Sequence, residues 1–501
     1  MNRNKTFFRL FAALVVASLA VLTVDSALAQ NYGGGNSGSN NRSGNSGSNN
    51  NRSGNSGSNN RSGNNNNNSS GNSGGGATSL SGVLIQADGL LQRAVESAAL
   101  DQTRLDAAYR GIPGEMNKPS ASRKVSLNRL EKAILANGGT VSEEMTHLAG
   151  LTRIENVFYY PETQDIVIAG PAEGWEPGIE GSTVGIQSGR PTLNLTDLVV
   201  ALRAYPAGGQ PTEKIGCSID PTAEGLVAMR DFLRSAAQPN IANANELNGY
   251  ADGIRDALGY QTVKVWGISP KTRFAAAIVA ADYRMKLIGI GLEPAPVKMT
   301  TYIEKSTPQS ISQNALVRWF FEPNYDCVIQ SNDGQAIELI GDGVRLVGED
   351  ELITESGQRR SGGAANRATK LYAKSFTDKF AQIAAKLPVY AELRNLIDLS
   401  VAAAWIQREG LCEKAGWSME FFASEERFPV ETGNAVQMAE TAVNIVAHGK
   451  NTVSFPTGGG VLIEPVTALN ADHLQKDHND AVQKKYNAVG QSIPENVWWW
   501  D

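Results

Sequence analysis

The sequence is poor in the residues that most often bind metals or form cross-links, since its 501 residues include three cysteines and four histidines. An odd number of cysteines leaves at least one thiol unpaired, and a chain of this length can fold without disulfide bonds. We expect Cys217, Cys327 and Cys412 to be buried as small apolar side chains, with one disulfide and one free thiol as the alternative. Because no pair of histidines or cysteines has the spacing of zinc ligands, no metal site and no cofactor is predicted.

The chain beyond residue 78 also lacks the short motifs of common catalytic sites. It contains no HExxH, CxxC, GxSxG, SxxK or GxGxxG pattern and no glycine-rich loop that ends in Lys-Ser or Lys-Thr. These absences favour a non-catalytic protein. They leave open a catalytic site that is assembled from residues distant in sequence.

Acidic residues outnumber basic ones by 51 to 45, which gives a formal net charge of −6. The first 78 residues are themselves basic, so the rest of the chain is more acidic than the total suggests. An acidic surface without a basic stripe repels nucleic acid. We therefore expect no nucleic-acid partner.

The N-terminus has the pattern of a secretory signal peptide over residues 1–29. Three basic residues in the first nine positions precede an apolar run that ends near Val24, and Ala27-Leu28-Ala29 forms a cleavage site of small residues. The run is shorter than the roughly 20 residues of a membrane helix, so an uncleaved anchor is the less favoured alternative. We expect the mature protein to have no transmembrane helix and to be secreted or held in the periplasm or cell envelope.

Residues 30–78 form a spacer that consists almost entirely of Asn, Gly and Ser, with the decapeptide NRSGNSGSNN repeated at 41–50 and 51–60. Such a composition offers almost no apolar surface to offset the entropy that ordering costs. We therefore predict that the spacer is disordered and links the leader to the folded body.

The rest of the chain mixes strand and helix patterns without regular βαβ repetition, which predicts an α+β fold. We expect mixed or antiparallel sheets with packed helices, in two to three subdomains. The predicted regions are an N-terminal α+β region at 79–212, a middle α+β region at 213–312, a β meander with two helices at 313–470, and a polar tail at 471–501.

Two segments of the middle region are candidates for ligand contact. GCSIDPT places Ser218 and Asp220 where a strand enters a helix, a common site of ligand contacts. The favoured explanation of Asp220 is the helix N-cap, with Pro221 at the first helical position. FAAAIVAAD reads as a strand and YRMKLIGI as a short helix. There Arg284 and Lys286 suit an acidic ligand, and a solvated helix face is the favoured alternative.

Several stretches resemble a family of exported planctomycete proteins that carry a domain of unknown function. The resemblance covers nearly all of the body and none of the spacer. It implies no activity, substrate or catalytic residue. The stretches are RKVSLNRLE, EEMTHLAGLTRIENVFYYPETQDIVIAGPAEGW, GRPTLNLTDLVVALR, GCSIDPTAEGL, FAAAIVAADYRMKLIGIGLE, PVYAELRNLIDLS and WWWD.

The chain ends in ENVWWWD, and we predict Trp498, Trp499, Trp500 and Asp501 as binding residues. Each tryptophan buries roughly 150–250 Å², so three exposed ones would exceed the largest apolar patch of many monomers. Burial outweighs, by a modest margin, the entropy of ordering a terminus. We expect the tail to pack on its own body, with a partner chain or envelope component as the alternative.

Together these features predict an exported, non-catalytic binding or scaffolding protein of the cell envelope or extracellular matrix, with an envelope or extracellular protein as its partner. The alternative is an extracytoplasmic hydrolase with a site near Ser218 and Asp220 or near His448. A cleft in which a histidine meets a nucleophile, or in which carboxylates converge, would favour the hydrolase.

Overall fold

A computed structural model describes residues 78–80, 83–93, 114–178, 181–307, 315–353, 359–431, 433–448, 451–454 and 457–501. The predicted signal peptide, and the predicted spacer up to residue 77, lie outside the described residues. All described residues belong to one compact unit that begins at residue 73.

The described strands have these bounds: β1 Thr78–Leu80, β2 Val83–Ile85, β3 Leu90–Arg93, β4 Ser120–Ser126, β5 Asn156–Tyr160, β6 Asp165–Ala172, β7 Trp175–Pro177, β8 Thr183–Gly185, β9 Ile215–Asp220, β10 Gln261–Trp266, β11 Ala315–Pro323, β12 Val328–Gln330, β13 Ala336–Leu339, β14 Val344–Ile353, β15 Arg359–Ala364, β16 Met438–Ala439, β17 Ile445–His448, β18 Asn451–Ser454, β19 Thr457–Ile463, β20 Gln475–Lys476 and β21 Trp499–Trp500.

The described α-helices have these bounds: α1 Leu127–Ala136, α2 Glu143–Thr146, α3 Leu195–Ala204, α4 Ala223–Ser235, α5 Ala244–Leu258, α6 Arg273–Gly289, α7 Tyr302–Lys305, α8 Arg367–Asp378, α9 Phe380–Ala384, α10 Pro388–Arg408, α11 Leu411–Lys414, α12 Pro465–Ala468 and α13 Ala481–Gly490. Short 3₁₀ turns occur at Leu148–Gly150 and His478–Asp480.

Most of the strands form two mixed sheets. The large sheet has the order β1-β2-β3-β16-β10-β9-β19-β11-β14-β15, and the small sheet has the order β20-β12-β13-β5-β6-β4-β21. Most neighbours are antiparallel, whereas β11 and β19, β3 and β16, and β12 and β20 are parallel pairs. With the helices packed on these sheets, the structure confirms the predicted α+β fold with mixed sheets.

The sheets combine strands from different predicted regions. The large sheet takes strands from all three regions before the tail, and the small sheet joins β4–β6 to β12, β13 and the tail. The strands predicted as a meander after residue 313 are present, but β11 and β14 lie in the large sheet whereas β12 and β13 lie in the small one. The boundaries of the four predicted regions, from 79–212 to 471–501, therefore stay a prediction.

The centre of the molecule is built around two long buried helices. Helix α10 begins with Pro388 at a position where no backbone donor is needed, and it is buried from Val389 to Ile406. It packs on α3 and α6, and α6 packs in turn on β9 and β19. Because these helices are covered on all sides, their sequences are apolar around most of the circumference rather than along one stripe.

The predicted strand at FAAAIVAAD is wrong, because this segment and YRMKLIGI form the single helix α6. The Thr272 side chain accepts a hydrogen bond from the Ala275 backbone and starts the helix there. A continuous apolar run fits a buried strand and a buried helix equally well, so periodicity alone does not separate them. The alanine content favours the helix that forms.

Candidate functional site

The C-terminal tryptophans lie at one edge of the small sheet. Strand β21 pairs antiparallel with β4, with Trp499 opposite Val125 and Trp500 opposite Lys124. The Ser126 backbone also donates a hydrogen bond of 2.9 Å to the Trp498 carbonyl. The tail therefore forms the last strand of the sheet and covers the edge of β4.

Asp501 completes the hydrogen bonding of Arg123, whose side chain is fully buried. The guanidinium Nε lies 2.9 Å from Asp501 Oδ1, and Nη2 lies 3.1 Å from Oδ2. The remaining donors bind the carbonyls of Met116, Lys118 and Ala149. Since an arginine has five N–H groups, all of its donors are in use.

Strand alternation sends neighbouring tryptophans to opposite faces of the small sheet. Trp499 lies on the face of Arg123, whose guanidinium carbon is 5.1 Å from the ring centre. Trp500 is buried on the other face with Phe158, Tyr160 and other apolar side chains. Trp498 and Trp499 are partly buried against the main core. The body thus supplies the docking site for the tail, and binding of a separate partner by these residues stays a prediction.

The Asp501 carboxyl is tuned by its surroundings. Burial raises its pKa, but hydrogen bonds from Arg123 and Ser120, together with the charges of Arg123 and Lys124, lower the pKa further than burial raises it. The net result is a pKa below the ordinary value of an aspartate. The carboxylate is therefore ionised throughout the neutral range, and it offsets the positive charge of Arg123.

A second polar arrangement forms a pocket where α3, α6 and α10 meet. Arg273 is the first residue of α6, Asp197 lies in the first turn of α3, and Glu392 and Asn395 lie on consecutive turns of α10. Asn194 caps α3 by accepting a hydrogen bond from the Thr196 backbone. The pocket is lined by Thr192, Leu193, Asn194, Asp197, Arg273, Glu392, Asn395, Leu396 and Leu399.

Arg273 bridges the two buried carboxylates of this pocket. It donates one hydrogen bond to Asp197 Oδ2 and another, of 2.5 Å, to Glu392 Oε1. Asp197 Oδ1 and Asn395 Oδ1 are both buried and have no hydrogen-bond partner in the part of the chain that the structure describes. The cavity has a volume of about 10 Å³, which is room for about one water molecule.

The titration of the pocket residues is shifted mainly by burial. Burial raises the pKa of Asp197 to about 6, with Arg273 opposing the rise and Glu392 adding to it. His147 lies beside the pocket, with Nδ1 3.1 Å from Thr192 Oγ1. Burial and the charge of Arg273 lower the pKa of His147 to about 4. At neutral pH the pocket therefore has a neutral imidazole, which can hydrogen-bond the Thr192 hydroxyl.

The segment GCSIDPT does not have the local structure that we expected. The N-cap of α4 is Thr222, which accepts a hydrogen bond from the Gly225 backbone, so the prediction of Asp220 as N-cap is wrong. Pro221 accordingly precedes the cap. Asp220 binds Arg318, with Oδ2 3.1 Å from Nη2, and accepts a hydrogen bond from the Gly459 backbone. Ser218 is buried beside it on β9.

The favoured solvated face for Arg284 and Lys286 is also wrong. Both side chains are buried in α6. Arg284 pairs with Glu293 and Lys286 pairs with Asp282, each with an N–O distance of 2.7 Å. Internal carboxylates therefore occupy the positions that an acidic ligand would take. His448, the other predicted position of a hydrolase site, is the last residue of β17, and its side chain lies outside the described residues.

The sequence offered no signal for Arg123, Asp197, Arg273 or Glu392. The stretches RKVSLNRLE, GRPTLNLTDLVVALR and PVYAELRNLIDLS contain Arg123, Asp197 and Glu392, but nothing in the sequence pairs these residues with their partners. Within the described ranges, no three His, Cys, Asp or Glu side chains are grouped so that they could hold a metal ion. Nor does any described helix have the length and apolar character needed to cross a bilayer.

Comparison with known families identifies one domain in the chain. Residues 217–302 match a family described as Protein of unknown function (DUF1598), and the match runs from β9 into α7. It includes FAAAIVAADYRMKLIGIGLE and all but the first residue of GCSIDPTAEGL, and it contains Arg273 and the Asp282–Lys286 pair. No curated protein and no solved structure matches the chain.

Proposed function

We propose that the protein is exported, like the planctomycete proteins that its sequence resembles, and that it is a non-catalytic binding or scaffolding protein of the cell envelope or extracellular matrix. The observation that carries this proposal is the order of segments in the chain. A segment with the pattern of a secretory leader and an Asn/Gly/Ser-rich segment precede an acidic body. Such a spacer suits a body that is held at a distance from an attachment point.

The geometry at Arg273 favours binding through the surface of the body over binding of a small organic ligand in this pocket. The pocket at Arg273 has room for about one water molecule, whereas pockets for small organic ligands measure about 300–1,000 Å³. Buried charges are used in internal pairs, as at Lys286 and Asp282 or at Arg123 and Asp501. We therefore infer that the biochemical role depends on the surface of the body and on its attachment.

Export is tested on the untagged full-length chain, because a C-terminal tag would follow directly on the buried end of β21. We expect mature protein in an extracytoplasmic fraction with Gln30 as its first residue, measured by mass spectrometry of the N-terminal peptide. The variant Ala29→Arg is the control and should keep the leader. Cytoplasmic protein that still begins at Met1 would contradict export.

The scaffolding role is tested by chemical cross-linking of the exported protein in intact cells, followed by identification of the cross-linked partners. We expect the same envelope or extracellular proteins in repeated experiments. A mature protein that is found free in the medium as a monomer, without cross-links, would contradict the role.

A second candidate function is an extracytoplasmic hydrolase, which is favoured by the contact between His147 and Thr192 beside two converging carboxylates. In this case the neutral imidazole accepts a proton, and the protonated form of Asp197, a minority at neutral pH because its pKa is about 6, donates one. The test is a panel of ester, amide, phosphoester and glycoside substrates. Turnover that disappears in both His147→Asn and Asp197→Asn would support this function, and no turnover by the native protein would contradict it.

A further inference from the structure

The docking site of the tail has the components of a peptide-recognition site. We call it the Arg123 cleft, and it comprises the edge of β4, the Arg123 guanidinium, and the apolar face of Phe158 and Tyr160. The tail adds a strand to the sheet edge, places a carboxylate on the guanidinium, and buries the Trp500 ring. Addition of a strand to an exposed sheet edge, with a pocket for one side chain, is a recurrent mode of peptide recognition. Here the side-chain carboxylate of Asp501 is bound as well.

The tail is a separate segment that follows the last helix. Helix α13 is held to the body by Tyr486, whose ring stacks on Tyr160 at 4.7 Å between centres and whose carbonyl accepts a hydrogen bond from the Tyr160 hydroxyl. Between α13 and β21 the chain is irregular, and Arg129 binds the carbonyls of Pro494 and Val497. Departure of the tail leaves these two contacts of Tyr486 intact, and it removes Trp500 from the apolar cluster that it shares with Val482 and Val489 of α13.

The length of the tail allows it to reach another molecule. Residues 491–501, fully extended at about 3.3–3.6 Å per residue, span roughly 36–40 Å. The paired part of the strand is only two residues long. Exchange thus breaks few backbone hydrogen bonds, and the same bonds form again in the second molecule.

We propose that the Arg123 cleft recognises the C-terminal segment of this sequence when a second copy supplies it, so that two copies are joined by exchange of their tails. This inference rests on the proposed scaffolding function and deepens it by naming the partner as the same chain. Reciprocal exchange between two molecules gives a closed dimer, and exchange in one direction gives an open chain of subunits.

The chain's own tail competes with the incoming one at a high effective concentration, of the order of millimolar for a short flexible linker. A free peptide therefore binds the native protein weakly. Weakening the resident tail by substitution should open the cleft to a native peptide. This difference between native and variant chains separates specific binding from general adhesion of a tryptophan-rich peptide.

The experiment uses the full chain with the substitution Asp501→Asn and a fluorescent peptide of residues 491–501, QSIPENVWWWD. Fluorescence anisotropy measures the dissociation constant. We expect the peptide to bind the Asp501→Asn chain at least tenfold more tightly than the native chain. A control peptide that ends in Asn should lose most of this gain, because it lacks the carboxylate that Arg123 binds.

A second variant, Trp499→Ala, weakens the tail while keeping the Arg123–Asp501 pair, and it replaces Asp501→Asn if that chain does not fold. We expect it also to bind the peptide more tightly than the native chain. Equal binding of the peptide to all three chains, or no binding to either folded variant, would overturn the proposal.

Exchange between copies is measured on the native chain by analytical ultracentrifugation over a range of concentrations. We expect a dimer or larger species that increases as the protein concentration approaches the effective concentration of the resident tail, of the order of millimolar. Native peptide in excess of that concentration should dissolve this species, whereas the Asn-ended peptide should not. A monomer at every concentration would overturn exchange. Both measurements use purified protein, so they are independent of export and of any envelope partner.

Discussion

Arg123 and Asp501 are 378 positions apart in the sequence, yet two hydrogen bonds join their side chains, the shorter of 2.9 Å. The arginine is completely buried, whereas the aspartate side chain is 43% exposed. Arg123 therefore depends on the last residue of the chain for the negative charge that compensates its own. The N-terminal part of the small sheet is thereby linked to the C-terminus.

We expect Asp501→Ala to lower the free energy of unfolding by about 1–3 kcal/mol, because it leaves two guanidinium donors and a buried charge without their partner. Urea denaturation of the full chain measures this change. Glu495→Ala in the same tail is the matched control, since Glu495 is exposed, and its effect should stay within about 0.5 kcal/mol. Equal effects of the two substitutions would contradict a specific role of the pair.

Acid should remove the contribution of Asp501. Because its pKa in the folded protein lies below its ordinary value of 3.8, the carboxylate stabilises the fold above the unfolded pKa. That contribution is lost as the pH falls through the folded pKa. We expect the stability difference between the native chain and Asp501→Asn to be constant above about pH 5 and to shrink below it. A difference that does not change down to pH 3 would show that the carboxylate is not involved.

The sequence predicted that the tail packs on the body, because three adjacent tryptophans are too apolar to remain in water. It did not predict where, since the docking site consists of β4, Arg123 and the face of Phe158 and Tyr160, which are all far away in the chain. By contrast, the Asp88-Gly89 dipeptide is itself typical of a tight hairpin turn, and Gly89 adopts a φ of 83° between β2 and β3. Local rules suffice where both partners are close in sequence.

The secondary structure predicted for the segment that forms α6 was wrong. This helix is buried on all sides, so its apolar residues do not recur with the helical period that would distinguish it from a strand. Prediction also missed the bridge of Asp197, Arg273 and Glu392, which joins three helices. Each of these residues fits a solvated helix surface when its sequence is read alone. Only the packing of α3, α6 and α10 buries them together and makes their charges interact.

Cys217, Cys327 and Cys412 are free and buried, as the sequence predicted. Burial raises the pKa of Cys412 to about 11 and that of Cys327 to about 12, and it also raises the pKa of Cys217 well above its ordinary value. Because the thiolate is the reactive form, we expect no fast reaction with Ellman's reagent at pH 8 in the folded protein. Three thiols should react in guanidinium without reductant. One reactive thiol under those conditions would instead indicate a disulfide.

The pocket at Arg273 gives two opposite dependences of stability on pH. Asp197 has a folded pKa of about 6, raised above 3.8, so it binds its proton more tightly in the folded state. Its contribution is therefore fully present below the unfolded pKa and is lost as the pH rises towards 6. His147 has a folded pKa of about 4, lowered from 6.5, so its contribution is lost as the pH falls from 6.5 towards 4.

Single substitutions distinguish the two contributions when the free energy of unfolding is measured by urea denaturation from pH 4 to 7. Relative to the native chain, Asp197→Asn should gain stability as the pH rises from 4 to 6, by at most about 3 kcal/mol for a shift of about two pKa units. His147→Asn should show the opposite trend, gaining relative stability as the pH falls below 6.5. Because Arg273 contributes to both shifts, the double variant should not equal the sum of the two single changes. If both single variants changed in the same direction, the two groups would not titrate in the surroundings that the pocket gives them.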